Sequence, residues 1–243
     1  MMEPSTPRAQ RARRMADMLR QQITSGAFPS GLLPGERELG ARFGATRNAV
    51  REALGLLRSE GLVVRRQGVG TVVATAKYDH ELDRLSGLAE ALTGHGTITN
   101  EVRAAHLVTE VPEAVTERLE LPPSADAVYI ERLRSSDGVP LSLDTTYLVA
   151  DIGLPLLECD LTGRDIFALI EETTGSLLGS AEVSVHAVTA DPGSAALLRI
   201  PTGAAMFAIE RLTRLEDGRA VDVESLRIRA DRLTLTATLH RQG

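Results

Sequence analysis

The chain has 243 residues, enough for two domains that each bury a core. Its formal net charge is −6, but residues 1–75 hold 12 Arg against 6 acidic residues, a surplus of +6, and residues 76–243 hold 15 basic against 27 acidic, a deficit of −12. A single cysteine, Cys159, excludes an intramolecular disulfide framework, and no stretch approaches the roughly 20 apolar residues of a membrane span, so a soluble, cytoplasmic protein with no membrane partner is expected.

In chain order, the first predicted element is a helix from Arg8 to Ser25, where Ala12, Ala16, Leu19 and Ile23 recur at spacings of three and four and Gly26 ends the run. Residues 27–35, AFPSGLLPG, read as a turn segment. A short helix over Glu36–Phe43 buries Leu39 and Phe43 and stops at Gly44. Thr46 then caps a third helix reaching Ser59, because its hydroxyl accepts from a free backbone N–H of the first turn. On that helix Val50, Ala53, Leu54 and Leu57 share one side. Arg47, Asn48 and Arg51 fall on an arc away from it, at the end where the helix dipole favours phosphate. Leu62–Ala74 reads as a hairpin of two Val-rich strands around Gln67-Gly68-Val69-Gly70. Three helices and a hairpin make a winged helix-turn-helix, whose third helix enters a DNA major groove with its N-terminal side chains leading. An isolated arginine-rich helix is more often a solvated face. Here the basic module and the glycine-tipped wing turn the reading toward double-stranded DNA.

The polar stretch from Ala74 to Arg84 marks a linker, with residues 76–84 as its span between a first domain, 1–75, and a second, 85–243. Beyond it the chain repeats itself: His106 and His186 each stand six residues before a proline, and Pro122 and Pro201 each stand eight before Ile-Glu-Arg-Leu. Each copy reads as strand, short helix and a hairpin turning at Asp137-Gly138 or Asp217-Gly218. Two copies predict one mostly antiparallel sheet with helices on one face, joined through a helix over Asp165–Thr173, and an α+β two-domain chain overall. The equivalent histidines read as structural, no His/Cys/Asp spacing suggests a metal, and Cys159 has no nucleophile signature.

The segment LPGERELGARFGATRNAVREALGLLRSEGLVVRRQGVGTVVA resembles the DNA-binding domain of the GntR family of bacterial transcription regulators. That resemblance implies DNA contacts from Arg37 of the second helix, from Thr46, Arg47, Asn48 and Arg51 of the third, and from Gln67 and Gly68 at the wing tip. Gly35 stands where the family usually has Ser, which removes a side-chain cap. The pattern ERLR-x-x-DG-x-P is similar to the UTRA effector-binding domain of the family's HutC branch, whose fold resembles chorismate lyase. Ser86, Leu88, Arg132, Arg134, Asp144, Asp165 and Glu224 are the effector-pocket residues it implies. Arg132 and Arg134 flank Leu133, so both project from one sheet face and could converge on an anion; the alternative is a salt bridge to Asp144 or Glu224. Asp165 replaces the small hydroxyl residue of phosphosugar sensors, and Ile228 and Leu233 stand where a tyrosine is common. These departures argue against a plain sugar phosphate and for an effector carrying both a cationic and an anionic group, held between Asp165 or Asp144 and Arg134.

The expected function is a ligand-responsive repressor that binds a palindromic DNA operator as a homodimer, with no cofactor and no metal. The alternatives are a chorismate-lyase-like enzyme, disfavoured because no nucleophile, carboxylate pair or cofactor loop is recognisable, and a regulator that needs no effector.

Overall fold

The computed structural model describes residues 7–74, 77–92 and 97–240, and these divide into two compact units that part after Lys77. Residue 76, the start of the expected linker, lies outside the described residues. Within the rest of that stretch only Tyr78–Glu81 differs from the expectation: it is a strand of the second unit, and Tyr78 and His80 are buried. No helix among the described residues is long and apolar enough to cross a membrane.

In the first unit, α1 (Pro7–Thr24), α2 (Glu36–Phe43) and α3 (Arg47–Ser59) precede the hairpin β1 (Val63–Arg66) and β2 (Gly70–Val73). Its core is small, formed by Met15, Ala16 and Leu19 of α1 against Leu39 of α2 and Val50, Ala53, Leu54 and Leu57 of α3. The α2–α3 corner is tight because Gly44 adopts a left-handed conformation, φ 56°, and Thr46 caps α3 by accepting from the Ala49 N–H at 3.4 Å. Gly35 caps α2 without a side-chain hydrogen bond. The segment expected as a plain turn also braces the wing, since Leu33 N–H donates to Thr71 O at 2.9 Å and Val73 N–H to Gly31 O at 2.6 Å.

The second unit is built on a six-stranded antiparallel sheet. Its strands are β4 (Ile98–Val108), β5 (Ala127–Ser136), β6 (Val139–Val149), β7 (Leu178–Thr189), β8 (Ala205–Leu215) and β9 (Ala220–Arg229), in the order β4-β5-β6-β9-β8-β7. The order is symmetric about the β6–β9 pair, so the two sequence copies meet at the centre and β4 and β7 form the edges. Between the first two strands of each copy lies a short helix, α5 (Glu113–Arg118) or α8 (Pro192–Leu198). Each reaches across to the other copy, α5 to β9 and α8 to β6. The first hairpin turns on Asp137 and Gly138, φ 49° and 73°, a two-residue turn that matches strand twist.

Helices cover both faces, not one as the sequence suggested. Ala195 and Leu198 of α8 pack with Leu133 and Met206, which alternate with residues of the opposite face. That opposite face carries α6 (Ala150–Leu156), α7 (Ile166–Thr174) and α4 (Leu88–Ala91), together with a parallel pair of strands, β3 (Tyr78–Glu81) and β10 (Leu233–Thr236).

Two glycines separate close packing from backbone propensity. A Cβ at Gly153 of α6 would lie 2.5 Å from the Val128 Cβ, whereas a Cβ at Gly55 of α3 meets nothing within 4 Å. Gly153→Ala is expected to destabilise the second unit by about 1–3 kcal/mol. Gly55→Ala is expected to stabilise the first by up to about 1 kcal/mol. Urea unfolding of each variant checks both signs.

Candidate nucleic-acid interface and effector cavity

The apolar side of α3 is buried, so its other side is left to solvent. All seven residues assigned to DNA, Arg37, Thr46, Arg47, Asn48, Arg51, Gln67 and Gly68, are exposed. Thr46 spends its hydroxyl oxygen on the cap and keeps its proton for a phosphate. Arg47 donates through Nε to Glu36 at 3.3 Å, but its side chain is 82% exposed, and such a pair contributes at most about 1 kcal/mol, so a phosphate can displace the carboxylate. No acidic residue occupies the first turn of α3.

Sequence reasoning missed two of the basic groups beside this arc. A groove is lined by Asn48 and Arg51 together with Arg58 and Arg65, and Arg65 and Arg66 lead into the wing tip. Arg58 stands two turns beyond Arg51, on the same helix face, which was a legible signal; Arg65 is brought there only by the packing of the hairpin.

On the second unit, the sheet face covered by α7 holds an unusual number of buried charges. Arg134 and Asp144 are 2% and 1% exposed, and Arg134 donates to Asp144 Oδ2 through Nε at 3.1 Å and Nη2 at 3.0 Å. The fork expected to hold an anion is therefore closed on the protein's own carboxylate. Arg132 donates to the carbonyls of Arg164, at 3.1 Å, and Leu161, at 3.4 Å. Burial, and then the Arg134 charge, lower its pKa. The repeat equivalent of Arg132 is Arg211, which pairs with Glu224, donates to Ser86 O at 3.1 Å and stacks 4.2 Å over the Phe167 ring. Burial works against the Arg211 charge, but Glu224 and Asp222 outweigh it and raise its pKa.

Asp165 is the N-cap of α7, accepting from Phe167 N–H at 3.0 Å. Its carboxylate also approaches Gly87 so closely that any Cβ there would clash. Asp222, which sequence reasoning overlooked, stands two residues before Glu224 on the same face and accepts from the Thr213 hydroxyl at 3.2 Å. Burial, and then Glu224, push its pKa up to about 8.

A cavity of about 240 Å³ opens on this face. Residues His80 to Ser86 with Leu88 form one wall; Ala181, Val183, Ile209, Arg211, Leu226 and Ile228 form the other. Of the seven expected effector residues, Ser86 and Leu88 line it, whereas Arg132, Arg134, Asp144, Asp165 and Glu224 lie outside the lining. The buried arginine on the wall is Arg211, whereas Arg84 is exposed. Sequence reasoning did not assign it to the pocket, and only the placement of the His80–Leu88 segment distinguishes it from Arg132, its counterpart in the other copy.

Two predictions follow from this geometry. Arg65→Ala is expected to weaken DNA binding about equally for all sequences and to reduce the slope of log affinity against log salt by about 1, read from a salt titration. For Asp222 the folded pKa lies above the ordinary carboxylate value, so between about pH 4 and pH 8 the folded state holds a proton that the unfolded state releases. Its contribution to stability is present at the acid end and lost as pH rises. Asp222→Asn mimics the protonated form and is expected to gain stability over the parent from about pH 5 to pH 8, checked by urea unfolding at both values.

Comparison with known proteins places the two units in one lineage. Residues 11–73 match the bacterial regulatory proteins of the gntR family, and residues 95–234 match the UTRA domain. The chain is 30% identical over 231 residues to the HTH-type transcriptional regulator Rv0792c of Mycobacterium tuberculosis, covering 93% of this chain and 85% of that one. It is 29% identical over 205 residues to the histidine utilization repressor of Pseudomonas putida, covering 82% and 80%. The crystal structure of PhnF from Mycobacterium smegmatis superposes with a TM-score of 0.67 at 27% identity, over 94% of this chain and 100% of that one. These relatives are transcription regulators, and the lyase-like enzyme alternative gives way to them. The chain belongs to the GntR family of bacterial transcription regulators, with a UTRA domain in its second unit.

Proposed function

We propose that this regulator is a repressor that binds a palindromic operator as a homodimer and leaves it when a small molecule occupies the cavity of its second unit. The observation that carries the reading is the arc Arg47, Asn48 and Arg51 at the N-terminal end of α3, exposed beside a glycine-tipped wing. Arginine forks reach phosphates or guanine edges, and the Asn48 amide reads an adenine edge; Arg37 and the wing tip at Gln67 and Gly68 fix the register on the duplex. A single winged helix has little contact area for a specific site, which favours two copies on two half-sites. The second unit offers a surface for pairing: β7 is an edge strand that exposes Val183 and Val185, and an uncovered apolar edge invites another chain.

Control follows from linkage. A ligand that prefers the arrangement unable to span both half-sites shifts the population away from the operator. The chain supports a short route, because the segment that continues from residue 77 into the second unit is the same one that walls the cavity at His80–Leu88. Relatives named as repressors include NagR of Bacillus subtilis, 26% identical over 93% of each chain, in keeping with this sign of regulation.

The test is a salt-dependent titration of DNA from the region upstream of the protein's own gene. Arg51→Ala is expected to cost about 1–3 kcal/mol on the specific site while leaving weak non-specific binding in place. Equal affinity of parent and variant for the operator would remove α3 from the interface.

A further inference from the structure

The effector reading leaves open what the cavity takes, and the charges around it answer that. Beneath α7, Arg132, Arg134 and Arg211 of the sheet face are matched by Asp144 and Glu224 of the same face and by Asp165 at the start of α7, three against three, with Asp222 held largely protonated by its burial at neutral pH. Each guanidinium is already engaged: Arg134 with Asp144, Arg211 with Glu224 and the Ser86 carbonyl, Arg132 with two backbone carbonyls. An added anion or cation would enter a balanced, buried network and lose its hydration without a free counter-charge.

What remains unspent is hydrogen-bonding capacity of a neutral kind. Among the described residues, Arg211 Nε and Arg134 Nη1 have no acceptor, and Asp144 Oδ1 has no donor. Arg211 is on the cavity wall. His80 Nδ1 likewise has no partner among the described residues, and His80 lines the cavity, so an unpaired donor and an unpaired imidazole nitrogen stand on the same wall. Apart from Ser86 and His80, the remaining buried wall is apolar: Leu88, Ile209, Leu226 and Ile228. His80, also buried on the wall, has its pKa lowered by burial and then by Arg211, so it adds no cation. The charged lining residues Glu81, Asp83 and Arg84 are exposed at the mouth, where Arg84 pairs with Glu90. At about 240 Å³ the space is below the roughly 300–1,000 Å³ of sites for drug-sized ligands.

Resting on the reading of this cavity as the effector site, we propose that it takes a small, uncharged, mainly apolar metabolite bearing one group that both donates and accepts hydrogen bonds, an amide or a hydroxyl. This replaces the doubly charged ligand expected from sequence, because Arg134 and Asp144 are closed on one another and Asp165 is engaged as the cap of α7.

The experiment uses the full chain and matched probes: butanamide, hexanamide and benzamide against butyrate, hexanoate and benzoate, with glucose 6-phosphate as a phosphosugar. At saturation at least one amide is expected to raise the melting temperature by about 2 °C or more, with its carboxylate and the phosphosugar without effect. Ala181→Phe, which fills the cavity from the edge strand, should abolish that shift while operator affinity without ligand stays at the parent value. Ile209→Phe fills the same space from β8, away from the strand edge proposed for pairing, and serves if Ala181→Phe does not fold. Preference for a carboxylate or the phosphosugar, absence of a shift with all three amides, or an amide shift that survives cavity filling would each overturn the proposal. An operator titration run with the binding amide separates the two readings: binding without change in operator affinity refutes ligand control and leaves the ligand class standing.

Discussion

A buried guanidinium must be surrounded by acceptors, and the second unit is arranged around three of them. Unpaired, any one would cost several kcal/mol, more than a marginally stable domain can spare. The loop before α7 therefore turns its Leu161 and Arg164 carbonyls onto Arg132, the segment entering the second unit gives Ser86 O to Arg211, and Asp144 and Glu224 close the rest. Removing one carboxylate would strand a charge, so these elements hold one another in place. Such a network contributes specificity of arrangement more than net stability, and it fixes where the cavity wall stands.

The duplication explains how so many charges came to share one face. Strand order is symmetric about the β6–β9 pair, so equivalent arginines from the two copies, Arg132 and Arg211, both project toward α7. The copies then diverged in use. The second pairs directly across the ladder, Arg211 with Glu224, while the first pairs diagonally, Arg134 with Asp144, and leaves Arg132 to backbone carbonyls. That asymmetry gives one open side, occupied by the segment that arrives from the first unit.

The first unit solves a simpler problem. Its core is one helix face packed on two others, and the arc of Arg47, Asn48 and Arg51 is what that packing leaves exposed. Arg20 adds a brace at the far end, donating to Glu60 at 2.6 and 2.8 Å and to Asp17 at 2.5 Å, so α1 and the end of α3 hold together while the N-terminal end of α3 stays clear for a duplex.

The sequence by itself determined what depends on near neighbours. The 3.6-residue period set α1, α2 and α3, the Thr46 cap and Gly44 set the corner between helices, and the repeated spacing of His106 and His186 to their prolines announced two copies of one unit. The arc of Arg47, Asn48 and Arg51 was legible for the same reason: a helix places its side chains by counting. Tertiary structure alone decided the rest. It paired β3 with the distant β10, turning Tyr78–Glu81 of an expected linker into a strand, and it put Arg65 beside Arg51. It also chose Arg211 over Arg132 and Arg134 as the buried arginine on the cavity wall and made Asp165 a helix cap. Each of those outcomes depends on contacts between segments that local periodicity does not specify, and strand alternation fixes a side chain's face without fixing its partner.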